Sequence, residues 1–215
     1  MDLDQDGGIV IQLIRHWLNE RHAPDILPFQ GELVEHALQL INDQKTLVER
    51  LRAYPKTSEE EHFKMGLVQT EMERVKFIVR SYLRTRLFKI EKFTPYILSS
   101  QSVQTRLSAM ELAHTVKYGE IIATQFNNAV LQHLPADMRA LTDEKHTYVP
   151  AIITEPDKMN FVFARPREDI TVLRPSTSSN DAEINKEFSL AAGITAITSY
   201  QLIEDSLVRG MVELI

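Results

Sequence analysis

Four basic residues, Arg80, Arg84, Arg86 and Lys89, fall within one short stretch, and none has an acidic residue three or four places away to neutralise it on a helix. Such a cluster could contact phosphates, meet carboxylates from another segment, or lie solvated. Other chemistry-bearing residues are sparse. His16 and Glu20 stand one helical turn apart, but no third ligand accompanies them, so a surface pair is expected rather than a metal site. Asp2-x-Asp4-x-Asp6-Gly7 copies the opening of a calcium loop, yet the twelfth position is Leu13 instead of a bidentate glutamate. Seven glycines form no phosphate-cradling loop, and local sequence suggests no Ser-His-Asp set. No catalytic, cofactor-binding or metal-ligating residue is therefore expected. The absence of cysteine removes disulfides, thiolate metal sites and thiol nucleophiles together.

The 215 residues and 24.7 kDa allow one sizeable core or two modest domains. A net charge of −6 argues against a duplex-binding module, which must neutralise phosphates. No apolar run reaches the roughly 18 residues of a membrane span, and the acidic start Met1-Asp2-Leu3-Asp4 is unlike a basic leader, so an intracellular protein is expected.

These residues must be carried by helices as far as Pro135. The pattern predicts a first helix over Ile9–Arg21, a second from Gly31 to Tyr54, a third from Ser58 to Glu91 and a fourth from Ser108 to Leu134. Ser58 with Glu61, and Ser108 with Glu111, read as capping boxes. Ser99–Thr105 reads as a polar loop. Beyond a linker at 136–150, short Ile-, Val-, Phe- and Thr-rich runs predict strands at Ala151–Thr154, Phe161–Ala164, Ile170–Leu173, Ile194–Thr198 and Val212–Ile215, with Ser176–Lys186 a mobile polar loop. The expected architecture is mainly α: a helical domain with long helices at 1–135, followed by a small β-rich domain at 151–215.

The third helix would be roughly 50 Å long at about 1.5 Å per residue, more than a small domain readily covers. Val68, Met72, Val75, Val79, Tyr82, Leu83, Leu87 and Ile90 share one face, with Ile78 at its margin. Phe77 and Phe88 align with each other on the opposite side, so the second face is expected to meet a partner. Arg86 projects into the main apolar face, where an unpaired charge is costly, and should find a carboxylate or carbonyls from another segment or subunit.

The run Glu71-Met72-Glu73-Arg74-Val75, followed by Ser81-Tyr82-Leu83-Arg84-x-Arg86-Leu87-x-Lys89-Ile90-Glu91-Lys92-Phe93, resembles the signature of the Sld-five subunit of the GINS replication complex. Trp17-x-Asn19-Glu20, Leu107-Ser108-x-x-Glu111 and the terminal Val212-Glu213-Leu214-Ile215 extend the resemblance over nearly the whole chain. The resemblance implies a non-catalytic subunit of a nuclear heterotetramer with three Psf-type subunits. It implies that this complex joins the MCM ring and the Cdc-forty-five protein in the CMG helicase, with no membrane or small-molecule partner and DNA at most an indirect or weak one. The expected interface comprises Phe77, Arg80, Tyr82, Arg84, Arg86, Phe88, Lys89 and Phe93, together with Val212, Leu214 and Ile215 at the C-terminus. The alternative is a nucleic-acid-binding module using the basic strip of the third helix.

Overall fold

The computed structural model describes residues 8–53, 58–135, 139, 153–174 and 186–215. Helices α1 (Ile9–His22), α2 (Gly31–Ala53) and α3 (Glu59–Lys92) form the first layer. Both expected capping boxes are present. Ser58 caps α3 and Ser108 caps α6 (Ala109–Ala129), each accepting from the backbone N–H three residues on while the glutamate there accepts from the cap's own N–H. At 34 residues α3 spans about 50 Å. Only part of it is enclosed. Leu13 of α1, Val34, Ala37 and Ile41 of α2 and Val75, Ile78, Val79 and Tyr82 of α3 make one core cluster. Towards the C-terminal end of α2 and the N-terminal end of α3, Leu47, Phe63 and Leu67 stay exposed.

The connection after α3 is helical where a polar loop was expected. Pro95 lies in the first turn of α4 (Thr94–Ser99), where its missing N–H costs nothing, and α5 (Gln101–Gln104) follows. Ile26, Ile90, Phe93, Ile97 and Val103 close a second cluster beneath them. Gly119 of α6 crosses α4 closely, since a Cβ there would meet Leu98 Cδ1 at 2.9 Å and Thr94 Cγ2 at 3.3 Å. α6 ends at Ala129, short of the expected Leu134, and a 3-10 turn covers Leu131–His133. The Asn127-Asn128 pair that precedes the break favours caps and turns over helix interiors.

The C-terminal module is β-containing but not all β. Strands β1 (Phe161–Pro166), β4 (Ala196–Ser199) and β5 (Val212–Leu214) form an antiparallel sheet in the order β4-β1-β5, and β2 (Ile170–Arg174) pairs with β3 (Lys186–Leu190). Ile153 and Thr154 are not in a strand, and the strand expected from Ile194 begins at Ala196, after a turn at Gly193 whose φ is +76°. Helix α7 (Tyr200–Val208) was not anticipated; its spacing Tyr200, Ile203, Leu207 puts three buried side chains on one face. Lys186, expected at the end of a polar loop, opens β3. The expected mobile segment 176–185, nearly all of the expected linker 136–150, and Asp2, Asp4 and Asp6 lie outside the described residues.

The module does not stand apart from the helices. Ala23 and Leu27 belong to the same apolar cluster as Val162, Ala164, Tyr200, Ile203, Leu207, Val212 and Leu214. The backbone N–H of Leu214 donates to Asn19 Oδ1 of α1 at 2.8 Å, and Arg15 of α1 pairs with Glu213.

Candidate interaction surface and the ion network behind it

Arg86 sits where the helical pattern placed it, on the enclosed side of α3, and is fully buried. Each of its five N–H groups is used. Nε and Nη2 grip Glu111 Oε1 and Oε2 at 2.7 and 3.1 Å, a bidentate pair. Nη1 donates to Glu20 Oε2 at 3.0 Å and to the Leu27 carbonyl at 2.6 Å, and Nη2 also reaches the Arg106 carbonyl at 3.1 Å. The guanidinium lies 5.2 Å from the Phe29 ring centroid and 5.7 Å from that of Tyr82. One turn on, Lys89 Nζ uses its three donors on the Glu20 carbonyl, Glu20 Oε1 and the Asp25 carbonyl. Two cations thus face two carboxylates with no donor left over. Glu111 serves twice, since its Oε2 also accepts the Ser108 N–H of the α6 cap at 2.8 Å.

Burial alone would lower the Arg86 pKa, but the hydrogen bonds it donates to Glu111 and the charge of Glu20 more than offset it and hold the guanidinium above its ordinary value. For Lys89 burial wins over Glu20, and its pKa is lowered. Burial pushes the Tyr82 phenol up to about 12, so it remains a neutral group that accepts the Gln30 N–H at 3.1 Å. His16 is held below its ordinary value by burial and by Arg15, while its supposed partner Glu20 is committed to Arg86 and Lys89.

A second ion cluster ties the C-terminal module to this centre. Arg106 joins Asp25 at 3.2 Å to Glu204 of α7 at 2.9 Å, and Lys158 bridges the same two carboxylates at 3.1 and 3.2 Å. Burial would raise the Glu204 pKa, but Arg106 and Lys158 draw it below the usual carboxylate value. Glu20, Asp25, Arg106 and Glu204 were not expected to act together, and nothing in their spacing along the chain signals it. Glu111 was read only as a cap.

These positions divide the expected interface residues. Tyr82, Arg86, Lys89, Phe93, Val212 and Leu214 are buried within the chain, where they bind its own elements, so their side chains are not offered to a partner. Phe77, Arg80, Arg84, Phe88 and Ile215 face outward. Phe77 is 57% exposed although Trp17 packs edge-on against it at 6.2 Å, and Phe88 is 67% exposed. Between them Arg80 donates only to the Lys76 carbonyl of its own helix, and neither Arg80 nor Arg84 forms an ion pair among the described residues. The basic strip is therefore reduced at the surface from four residues to two. Of the main apolar face, Leu87 is exposed rather than enclosed, whereas Ile78, expected at the margin, is fully part of the core.

The architecture defines a class: a mainly helical protein with long N-terminal helices and a small strand-containing C-terminal module joined to them by a shared apolar cluster and partly buried ion pairs. The family model "Sld5: GINS complex protein helical bundle domain" matches residues 39–130. The DNA replication complex GINS protein sld5 of Schizosaccharomyces pombe is 34% identical over 204 residues, covering 94% of this chain and 90% of that protein. The SLD5 protein of Eremothecium gossypii is 34% identical over 94% of this chain and 83% of its own length. The human SLD5 protein is 29% identical over 99% and 96%. The chain belongs to the SLD5 family of DNA replication complex GINS proteins.

Proposed function

We propose that this chain is a non-catalytic structural subunit of a heterotetrameric GINS complex, assembled with three Psf-type subunits. Through that complex it would hold together the MCM ring and the Cdc-forty-five protein in the nuclear CMG helicase. The observation that carries the reading is the contrast between the two sides of α3. Inside, the cations of Arg86 and Lys89 are saturated by the chain's own acceptors. Outside, Phe77 and Phe88 are uncovered with Arg80 and Arg84 between them. Exposed aromatics beside cations suit a protein contact, where such residues contribute most when desolvated. Two arginines on an otherwise acidic chain make poor phosphate readers, so the nucleic-acid alternative loses its support. Helices of the core are in this reading the part that meets other subunits, and 151–215 is the small domain fastened to them.

The experiment is co-expression with the three Psf-type subunits, followed by size-exclusion chromatography with mass measurement. One copy of each chain in a single species is expected. The Phe77→Asp/Phe88→Asp double variant should remain folded alone, as surface substitutions usually shift stability within about 0.5 kcal/mol, yet fail to co-elute. A well-behaved monomer that ignores the other three subunits would overturn the proposal.

A further inference from the structure

The three-stranded sheet of the C-terminal module is apolar on both faces. Its inner side, with Val162, Ala164, Val212 and Leu214, packs against α7 together with Ala23, Leu27, Ile170 and Leu190. An antiparallel sheet with one covered side ordinarily presents polar residues on the other. Here β1 alternates the other way as well: Phe161 is 73% and Phe163 54% exposed. The register sets Ile197 of β4 directly opposite Phe163. On the far side Ile215 donates its N–H to the Phe163 carbonyl, one step beyond the Ala164–Leu214 pair, so it continues the same row. Ile197, Phe163 and Ile215 thus form an exposed apolar band across all three strands, with Phe161 beside it.

At the end of this band is Arg165. Its cross-strand partner on the same face is Glu213, but that carboxylate is taken by Arg15 and Arg167. Among the described residues Arg165 is exposed and forms no ion pair. The face therefore presents an apolar band and one cation lacking a carboxylate.

We infer that this outer face receives one amphipathic helix from a partner subunit, whose apolar stripe covers Phe161, Phe163, Ile197 and Ile215 and whose flank places a carboxylate on Arg165. The inference rests on the assembly reading above and adds a second contact, remote from the outer side of α3. Three strands spaced about 4.8 Å apart leave about 10 Å between the outer two, the width of one helix with its side chains. On the inner face of the same sheet α7 supplies the helical part of the cover, beside Ala23, Leu27, Ile170 and Leu190. The docked helix would make the module a helix–sheet–helix layer. Charge complementarity selects an acidic flank, since a basic one would meet Arg165.

The chain contains no cysteine, so a single introduced thiol reports on one place. Ile197→Cys is placed in the band and Glu168→Cys on an exposed bend beyond the end of β1. Maleimide labelling, read from this chain's own peptides by mass spectrometry, is compared for the free chain and the co-expressed tetramer. Ile197→Cys is expected to lose its reactivity in the tetramer while Glu168→Cys keeps it. A benzophenone maleimide on Thr195→Cys, at the rim, should cross-link to a partner segment with apolar residues at helical spacing and a carboxylate within a turn of them. Arg165→Glu should speed dissociation of the tetramer at least about tenfold by setting like charges together, and Arg165→Lys should restore most of the loss. An intact tetramer in which Ile197→Cys reacts as fast as in the free chain overturns this inference and leaves the assembly reading standing. So does a cross-link to a strand or loop. Failure of the tetramer to form at all overturns both.

Discussion

Replacing Arg86 by methionine keeps the volume and the apolar stem but removes the guanidinium. In the wild type that group makes five hydrogen bonds to four acceptor residues, with no exposure to water. After the change Glu20 retains Lys89, but Glu111 keeps only the Ser108 cap, and the carbonyls of Leu27 and Arg106 lose this donor. Breaking a buried ion pair from one side costs about 3–5 kcal/mol, because the surviving charge stays buried without its partner. Against a total stability of about 5–15 kcal/mol, that is a large fraction. With a urea slope near 3 kcal/mol per M, the unfolding midpoint should fall by roughly 1–1.7 M. Denaturation of the free chain followed by far-ultraviolet circular dichroism measures it. Arg84→Met, a change to the exposed arginine half a turn away, should stay within about 0.5 kcal/mol of wild type. Glu111→Gln should also destabilise, and the double variant should lose at least about 1.5 kcal/mol less than the sum of the two. A cost below about 1 kcal/mol for Arg86→Met, or simple additivity with Glu111→Gln, would refute the claim that this network organises the fold.

Three further outcomes follow from the contacts between the two parts of the chain. Asn19→Ala removes the buried acceptor of the Leu214 N–H and should cost about 1–2 kcal/mol, with faster amide exchange in β5 as the local readout. Tyr200 carries a buried hydroxyl with no hydrogen-bond partner among the described residues, so Tyr200→Phe should leave stability unchanged or raise it by up to about 1 kcal/mol in thermal melts. The folded-state pKa of Glu204 is depressed by Arg106 and Lys158, so its contribution is complete above the ordinary carboxylate range and is lost as pH falls through the depressed value. Acid titration should accordingly loosen the C-terminal module, seen in faster amide exchange of α7, and Glu204→Gln should remove most of that acid sensitivity while weakening docking at neutral pH.

Local rules carried much of this fold. Ser58 and Ser108 mark their helix starts because a capping box is a contact three residues long, complete within the sequence that specifies it. The apolar repeat of α3 told its inner face from its outer one, and it placed Arg86 inside before any partner was known. The specific run from Glu71 to Phe93 was enough to point to the family. The short elements were harder to read. α4 carries a proline in its first turn, α5 lasts one turn, and α7 shows its three-point apolar spacing amid residues that equally suit strands.

What the sequence could not contain is which groups meet across long separations. Glu20, Arg86 and Glu111 lie in three different helices, and only their packing makes the cation at 86 satisfied within its own chain rather than a hook for a neighbour. The same packing turned Tyr82, Lys89, Phe93, Val212 and Leu214 from interface candidates into interior ones, and left Phe77 and Phe88 at the surface. Periodicity says that a side chain points away from solvent or toward it along one element. Whether a neighbouring element covers it, and whether that neighbour belongs to the same chain, is decided by tertiary contacts alone.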